Sequence, residues 1–399
     1  MTVVRVPYRS HDNALRRLHA RLGGVYGPGA DPARAAASSR ANGSATRHWT
    51  PRAMTRRALS LASPIFGDFP DAFRGWTHDA VRAGIDIVNR ESIDAIVSLC
   101  PPATAHVVAS EIARATGVAW VAQFDDLYSF HLERQRPAWR RYGDRRHRGW
   151  MRQATLVGAI TPAMLAYVRR TYGIDGDVVM VGFDPDESPH VDRVRGDRLR
   201  LAYTGSVYPG DQRPELFFEA LEQLIGADPS IADALEVSFV GTGRDEQLKT
   251  MLASFPGAAR VCAFQGRQPP ETALRAQREA DALVLFNCTA PSADEGTLSY
   301  PAKTFEYLNA GRPILAIPSD PGGWGDRLLE ATRAGVTARS PNEAASVIFG
   351  WLERWRSGTA LPYHPDCEQI GLYSQPRQAV ILGRLLDRAV EMRQAGRGV

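Results

Sequence analysis

Residues 199–225 read LRLAYTGSVYPGDQRPELFFEALEQLI, and this stretch decides the fold. Leu199–Thr204 is a short apolar run of the length and composition of a buried strand. A glycine follows at once, then a polar turn, then Pro214 in the position that suits the first turn of a helix. Leu216, Phe217, Ala220, Leu221 and Leu224 fall on one side of that helix. A strand, a glycine turn and a helix with one apolar face form the first part of a parallel βαβ unit.

The same rhythm extends in both directions. Downstream, strands are predicted at Leu235–Val240, Val261–Phe264, Ala282–Phe286 and Ile314–Ile317, with a helix over Gln247–Ala253. Upstream, Ile93–Leu99, Val118–Ala122, Ala154–Ile160 and Asp177–Val181 read as strands. Helices over Thr104–Thr116 and Pro162–Tyr172 stop at Gly117 and Gly173. Short loops between alternating elements imply parallel sheets. A polar stretch, Asp186–Arg198, parts the two halves, and Gln375–Met392 carries Ala379, Leu382, Leu385, Leu386 and Val390 on one face, as a closing helix would. The fold class is therefore read as α/β, with two Rossmann-like domains, 1–190 and 191–372, facing each other across a cleft, and a closing helix at 373–399. Residues 27–50, rich in Gly, Pro, Ala, Ser and Asn, read as a mobile loop.

Composition agrees with this division. A chain of 399 residues exceeds what one core organises, so two domains are expected. No window offers the ~18 consecutive apolar residues of a membrane span, and the first residues lack a secretory apolar core. Both point to the cytoplasm. The cysteines, Cys100, Cys262, Cys288 and Cys367, have no clustered spacing and read as small buried hydrophobes. Positive charge is concentrated between Arg134 and Arg152, with Trp139 and Trp150 interleaved. That run reads either as a solvated helix face or as a patch meeting anionic lipid at the inner membrane face or a pyrophosphate-linked acceptor. No nucleic-acid recognition motif accompanies it.

The chemistry is expected around Gly296-Thr-Leu-Ser-Tyr-Pro-Ala-Lys-Thr-Phe-Glu-Tyr-Leu-Asn-Ala-Gly-Arg-Pro313. Ser299 reads as an N-cap, Pro301 as a first-turn residue and Gly311 as the stop, which predicts a helix from about Pro301 to Ala310. The backbone amides of Thr297, Leu298 and Ser299 would then face a diphosphate at the helix N-terminus. Lys303 would add a point charge and Glu306, on the same face, would accept from a ribose diol. A capped surface helix with an ordinary Lys–Glu pair fits the same residues. Glycine turns after other strands add weight to the first reading: Tyr203-Thr-Gly-Ser206 with Arg213 beyond it, Gly241-Thr-Gly243, and Gly266-Arg267. All lie at the carboxyl edge of the sheet, where ligands of open α/β folds bind. No G-x-G-x-x-G follows a strand, which argues against a dehydrogenase. On the other half, Gln123-Phe-Asp-Asp-Leu-Tyr128 follows a strand. Asp125 or Asp126 would orient or deprotonate an acceptor hydroxyl, with His131 an alternative and a helix-cap role equally open for Asp126.

Tyr203-Thr-Gly-Ser206, Phe239-Val-Gly-Thr-Gly243, Phe264-Gln-Gly-Arg267, Ala280-Asp-Ala-Leu283 and Lys303-Thr-Phe-Glu-Tyr-Leu-Asn-Ala-Gly-Arg-Pro313 occur in that order. In this the chain resembles glycosyltransferase family 4, the retaining GT-B enzymes of polysaccharide and glycolipid assembly, most closely over residues 199–340. The resemblance implies transfer of a sugar from a UDP- or GDP-linked donor to a polysaccharide, lipid-linked or small-molecule acceptor, with no cofactor and no metal. It implies that Glu306 holds the ribose. Gly205, Ser206, Arg213 and Lys303 would surround the diphosphate with the amides of Thr297–Ser299, Gly243 would belong to the donor site, and Arg267 would flank the base. Three departures stand out. The family's paired glutamates would place one at position 298, which is leucine, and Glu295 is the nearest acidic substitute. The family's Asn-Gly-Phe-Asp strand end is Val181-Gly-Phe-Asp184. The first strand and its glycine loop are not recognisable near Thr2–Val6, which predicts a first sheet with fewer strands than the family's. A non-catalytic nucleotide-sugar-binding protein and a nucleotide-sugar epimerase are the rival readings.

Overall fold

The computed structural model describes residues 5–6, 70–71, 73–127, 137–187, 195–208, 212–288, 300–318 and 321–396. The expected loop at 27–50, His131, Glu295 and Thr297–Ser299 lie outside the described residues, as does most of Thr2–Val6. Two compact units are distinguished. One takes in the described residues of Met1–Ala122, Leu127–Thr155 and Ala389–Val399, and the other Gln123–Asp126 and Leu156–Arg388.

The described part of the first sheet has four strands in the order β1-β2-β3-β4: β1 Ala95–Cys100, β2 Ala119–Phe124, β3 Leu156–Ala159 and β4 Gly176–Val178. Helix α1, Thr77–Glu91, precedes β1, and α2, Thr104–Thr116, follows it. The carboxylate of Asp71 occupies the N-terminus of α2. Asp71 accepts from the Thr104 amide at 2.8 Å and the Thr104 hydroxyl at 2.6 Å, which satisfies donors that the first helical turn leaves without an intrahelical partner. The arginine-rich run forms α3, Pro137–Met151. Helix α4, Pro162–Tyr172, is capped at Thr161, whose hydroxyl accepts from the Met164 amide at 3.0 Å, and ends at Gly173 with φ of 72°.

The second sheet has six strands in the order β10-β9-β8-β5-β6-β7, with parallel pairing. Its strands are β5 Leu199–Thr204, β6 Leu235–Val240, β7 Cys262–Phe264, β8 Ala282–Phe286, β9 Ile314–Ile317 and β10 Gly335–Thr337. Side chains alternate across β5 as a pleat demands. Leu199, Leu201 and Tyr203 enter one core with Phe217, Phe218 and Leu221 of α5, Pro214–Ala227. Ala202 enters the other with Phe305, Tyr307 and Leu308 of α8, Lys303–Ala310. Each buried aromatic or aliphatic side chain contributes about 1.5–3 kcal/mol, so both sheet faces hold α5 and α8 firmly against β5. The longer helices that remain in this half are α6 Asp245–Leu252, α7 Pro270–Glu279, α9 Trp324–Thr332 and α10 Pro341–Arg356. The last helix, α11, Gln375–Ala395, is docked at its start. Gln378 Oε1 accepts from the Met180 amide at 2.9 Å, and the Phe183 amide donates to the Tyr373 carbonyl at 3.0 Å.

The cysteines follow expectation only in part: Cys100 is buried, Cys262 and Cys288 are half-buried, and Cys367 is exposed at the start of a single-turn helix.

Candidate functional site

The carboxyl ends of β5, β6 and β7 are laced together before any side chain is considered. The Gly205 amide donates to the Val240 carbonyl at 2.8 Å, and the Gly241 amide to the Gly266 carbonyl at 2.8 Å. Asp245, the first residue of α6, ties two of these turns. One carboxylate oxygen accepts from the Gly266 amide at 2.7 Å and the other from the Thr242 hydroxyl. Gly205 has φ of 78°, a conformation that costs an L-residue about 1–2 kcal/mol. The chain must turn sharply there, because Thr204 is still in the strand and Lys303 lies against the turn. A Cβ at position 205 would stand 3.4 Å from Lys303 Cε and 3.5 Å from Nζ.

Helix α8 differs from its sequence reading in its start. It begins at Lys303, its N-cap is Ala302 with no side-chain cap, and Pro301 lies in the preceding turn, where its carbonyl accepts from the Thr304 amide at 2.9 Å. Gly311, with φ of 68°, ends it as expected. Thr304, Phe305, Tyr307, Leu308 and Ala310 are buried, and Glu306 is exposed. Lys303 and Glu306 therefore share the side of α8 away from its core.

Lys303 is held in place. Its ammonium stands 4.0 Å from the centroid of the Tyr203 ring, donates to the Ser206 carbonyl at 2.9 Å and donates to the Tyr203 hydroxyl. Tyr203 in turn donates to the Ser206 carbonyl at 2.9 Å. Burial pulls the Lys303 pKa down to about 7, while the nearby Glu306 and Cys288 act to raise it. Burial raises the Tyr203 phenol well above its usual range, so it stays neutral beside the lysine. Glu306 accepts from the buried side chain of Gln277 at 2.9 Å.

The structure thus brings Gly205, Ser206, Lys303 and Glu306 into one cluster. Gly243 and Arg267 sit on the neighbouring strand-end turns, both exposed. Arg213 stands just before α5 with its guanidinium on Glu215 at 2.8 Å, an ion pair at the surface. Asp125 and Asp126 follow β2 and are partly buried. The Asp125 carboxyl accepts from Gln123 Nε2 at 3.0 Å, and its pKa is raised by burial, with the Gln123 bond opposing. Gln123 also donates to the Val179 carbonyl at 2.9 Å. A raised carboxyl near a strand end suits proton transfer. Among the described residues no group of three or more His, Cys, Asp or Glu stands together as a metal site. Asp245, Gln277, Thr204 and Tyr307 were not anticipated. Only Asp245, acidic in a first helical turn, carries a signal that sequence reading can use.

Comparison with solved structures places the fold. The chain is similar to sucrose-phosphate synthase from Thermosynechococcus elongatus, with 14% identity, 79% of this chain and 78% of that one covered, and a TM-score of 0.56. It is similar to a glycosyltransferase from Rickettsia africae at 11% identity, covering 80% and 81%, with a TM-score of 0.53. A lipopolysaccharide outer core galactosyltransferase aligns at 14% identity over 78% and 80%, with a TM-score of 0.50. No protein-family model matches the sequence, and no curated protein matches it either. At these identities the likeness concerns architecture, and that architecture, two parallel α/β sheets over some four-fifths of the chain, is the GT-B fold of glycosyltransferases.

Proposed function

We propose that the chain is a glycosyltransferase that takes its sugar from a nucleotide-sugar, UDP- or GDP-linked, and transfers it to a polysaccharide, lipid-linked or small-molecule acceptor. The observation that carries this reading is the pairing on α8. An exposed carboxylate, Glu306, stands one turn beyond a lysine that is packed against the Gly205 turn. A carboxylate accepts both hydroxyls of a ribose diol. An ammonium at the start of a helix, beside the dipole of that helix, stabilises the charge that develops on a departing diphosphate. Stabilisation of the leaving group by these groups fits transfer without a metal ion, and retention at the anomeric carbon is proposed from the resemblance to the retaining family. Asp125, with its raised carboxyl, is the candidate for handling the acceptor proton, and Asp126 its neighbour. The similar folds are named as a synthase and transferases of sugars, which supports the same class. We extend the proposal to peripheral contact with an anionic membrane through α3, on which Arg141, Arg145 and Arg148 are exposed at the spacing of one helix face, with Arg152 exposed in the turn that follows.

The test is titration and turnover with UDP- and GDP-sugars on the wild type and Glu306→Ala. The variant is expected to lose most of its nucleotide affinity and at least a hundredfold in rate, in line with removal of a charged hydrogen-bond acceptor. Unchanged affinity together with retained turnover refutes the role of Glu306.

A further inference from the structure

Gln277 lies in α7 and is 1% exposed. A primary amide so deep needs partners, because an unpaired one is costly to bury. Its partners lead to the site. Nε2 donates to Thr204 Oγ1 at 3.0 Å and to Glu306 Oε2 at 2.9 Å. Thr204 is the last residue of β5, directly before the Gly205 turn. Thr204 is fixed in its own right, since its amide donates to the Tyr307 hydroxyl at 2.8 Å. Tyr307 is fully buried, and burial keeps its phenol neutral.

An exposed glutamate on a helix surface samples several rotamers. Here one oxygen of the carboxylate is tied to a buried, immobile amide. Each carboxylate oxygen has two acceptor positions. Oε2 can therefore serve Gln277 and one ligand hydroxyl while Oε1 serves a second. The amide is also neutral, so it orients Glu306 without cancelling the charge that makes the carboxylate a strong acceptor.

We propose that Gln277 is a positioning residue for nucleotide recognition, holding Glu306 in the rotamer that accepts the 2′- and 3′-hydroxyls of a ribose and so setting a preference for ribonucleotide over 2′-deoxyribonucleotide. The inference rests on the nucleotide-sugar reading above. A residue that merely fills the core would affect both ligands alike, whereas a positioning residue acts only where Glu306 makes its contacts.

The experiment is calorimetric titration of the full chain with UDP, GDP and their 2′-deoxy counterparts. Wild type is expected to favour the ribose form of the base it binds by about tenfold, the factor associated with one hydrogen bond to a charged group. Gln277→Leu should weaken the ribonucleotide more than the deoxynucleotide, which has only the 3′ contact to lose, and so abolish the ribose preference. Glu306→Gln should do the same, and the double variant should be no worse than either. Should the leucine variant fail to fold, Gln277→Glu keeps the shape and places a carboxylate against Glu306. Its ribose preference is expected to vanish at pH 8 and return near pH 5, where the two acids share a proton. Equal weakening of both ligands, or a preference untouched in Gln277→Leu and in Gln277→Glu at pH 8, overturns the role of Gln277. If wild type binds neither UDP nor GDP, the nucleotide reading itself fails and the inference falls with it.

Discussion

An ammonium group packed on the Tyr203 ring has lost water on that side, and this leaves Lys303 with a pKa of about 7. Its unfolded value is near 10.4. The folded chain therefore binds fewer protons than the unfolded chain between about pH 7 and 10, and the contribution of this group to stability rises with pH across that window. A diphosphate beside the nitrogen favours the charged form, so binding above pH 7 takes up a proton. Nucleoside diphosphate affinity is expected to fall as pH rises from 7 to 9. Calorimetry in buffers of different ionisation enthalpy should register the uptake. Lys303→Met should bind weakly and show neither effect. Affinity that stays flat over that range in the wild type would remove Lys303 from the phosphate site.

Helices α2 and α3 meet over two histidines. The Ser98 hydroxyl lies 2.7 Å from His106 Nδ1 and accepts from the Trp120 indole at 2.8 Å, while the rings of His106 and His147 are 6.3 Å apart. Burial lowers the His147 pKa to about 4, and burial followed by the charge of His147 lowers His106 well below its usual value. Both folded values lie under the unfolded 6.5, so this contribution is present above pH 6.5 and is lost as pH falls toward 4. His147→Phe keeps the edge-on contact with Trp150, at 5.3 Å. It is expected to reduce the loss of unfolding free energy between pH 7 and 5 by about 2 kcal/mol, read from denaturant titrations. An equal loss in both proteins would mean that His147 does not titrate in this way. His147 also illustrates what could be read in advance. The apolar runs at Leu199–Thr204, Leu235–Val240, Ala282–Phe286 and Ile314–Ile317 became strands with those bounds, because burial on both faces needs only composition and length. Helices α1, α7, α9 and α10 passed unremarked, although α10 carries Ala344, Ala345, Ile348, Trp351 and Leu352 into the core. Pro301 misled: its preference for a first turn is real, but the turn before α8 satisfies it equally well. Lys303 and Glu306 were visible because they share a segment with glycine and proline punctuation. Gln277 and His147 were not, since a polar residue among charged ones looks solvated until a distant strand or helix covers it.

On the scale of the molecule, a mild net charge of +4 conceals an uneven distribution. Arg141, Arg145 and Arg148 of α3, with Arg152 in the turn after it, form an exposed stripe, while Gly143, His147 and Met151 are buried on another side and Arg146 lies 5.8 Å from the Trp150 ring. Each arginine near an anionic bilayer contributes about 1 kcal/mol. Replacing all four by glutamine should therefore weaken sedimentation with phosphatidylserine-containing vesicles by about a thousandfold, and wild-type binding should fade as salt shortens the screening length. Vesicle binding equal in both proteins would assign the stripe to solvent alone. No helix among the described residues is long and apolar enough to cross a membrane. Finally, the docking of the α11 start has an implication for dissection. Gly182, with φ of 67°, passes so close to the Tyr373 carbonyl that a Cβ would stand 2.8 Å from it, and the next residues bond to Gln375 and, through the Asp184 carbonyl, to Asn309 of α8. Three stretches far apart in the chain meet in one knot beside α8, so an excised fragment that omits the tail would leave that helix without its buttress.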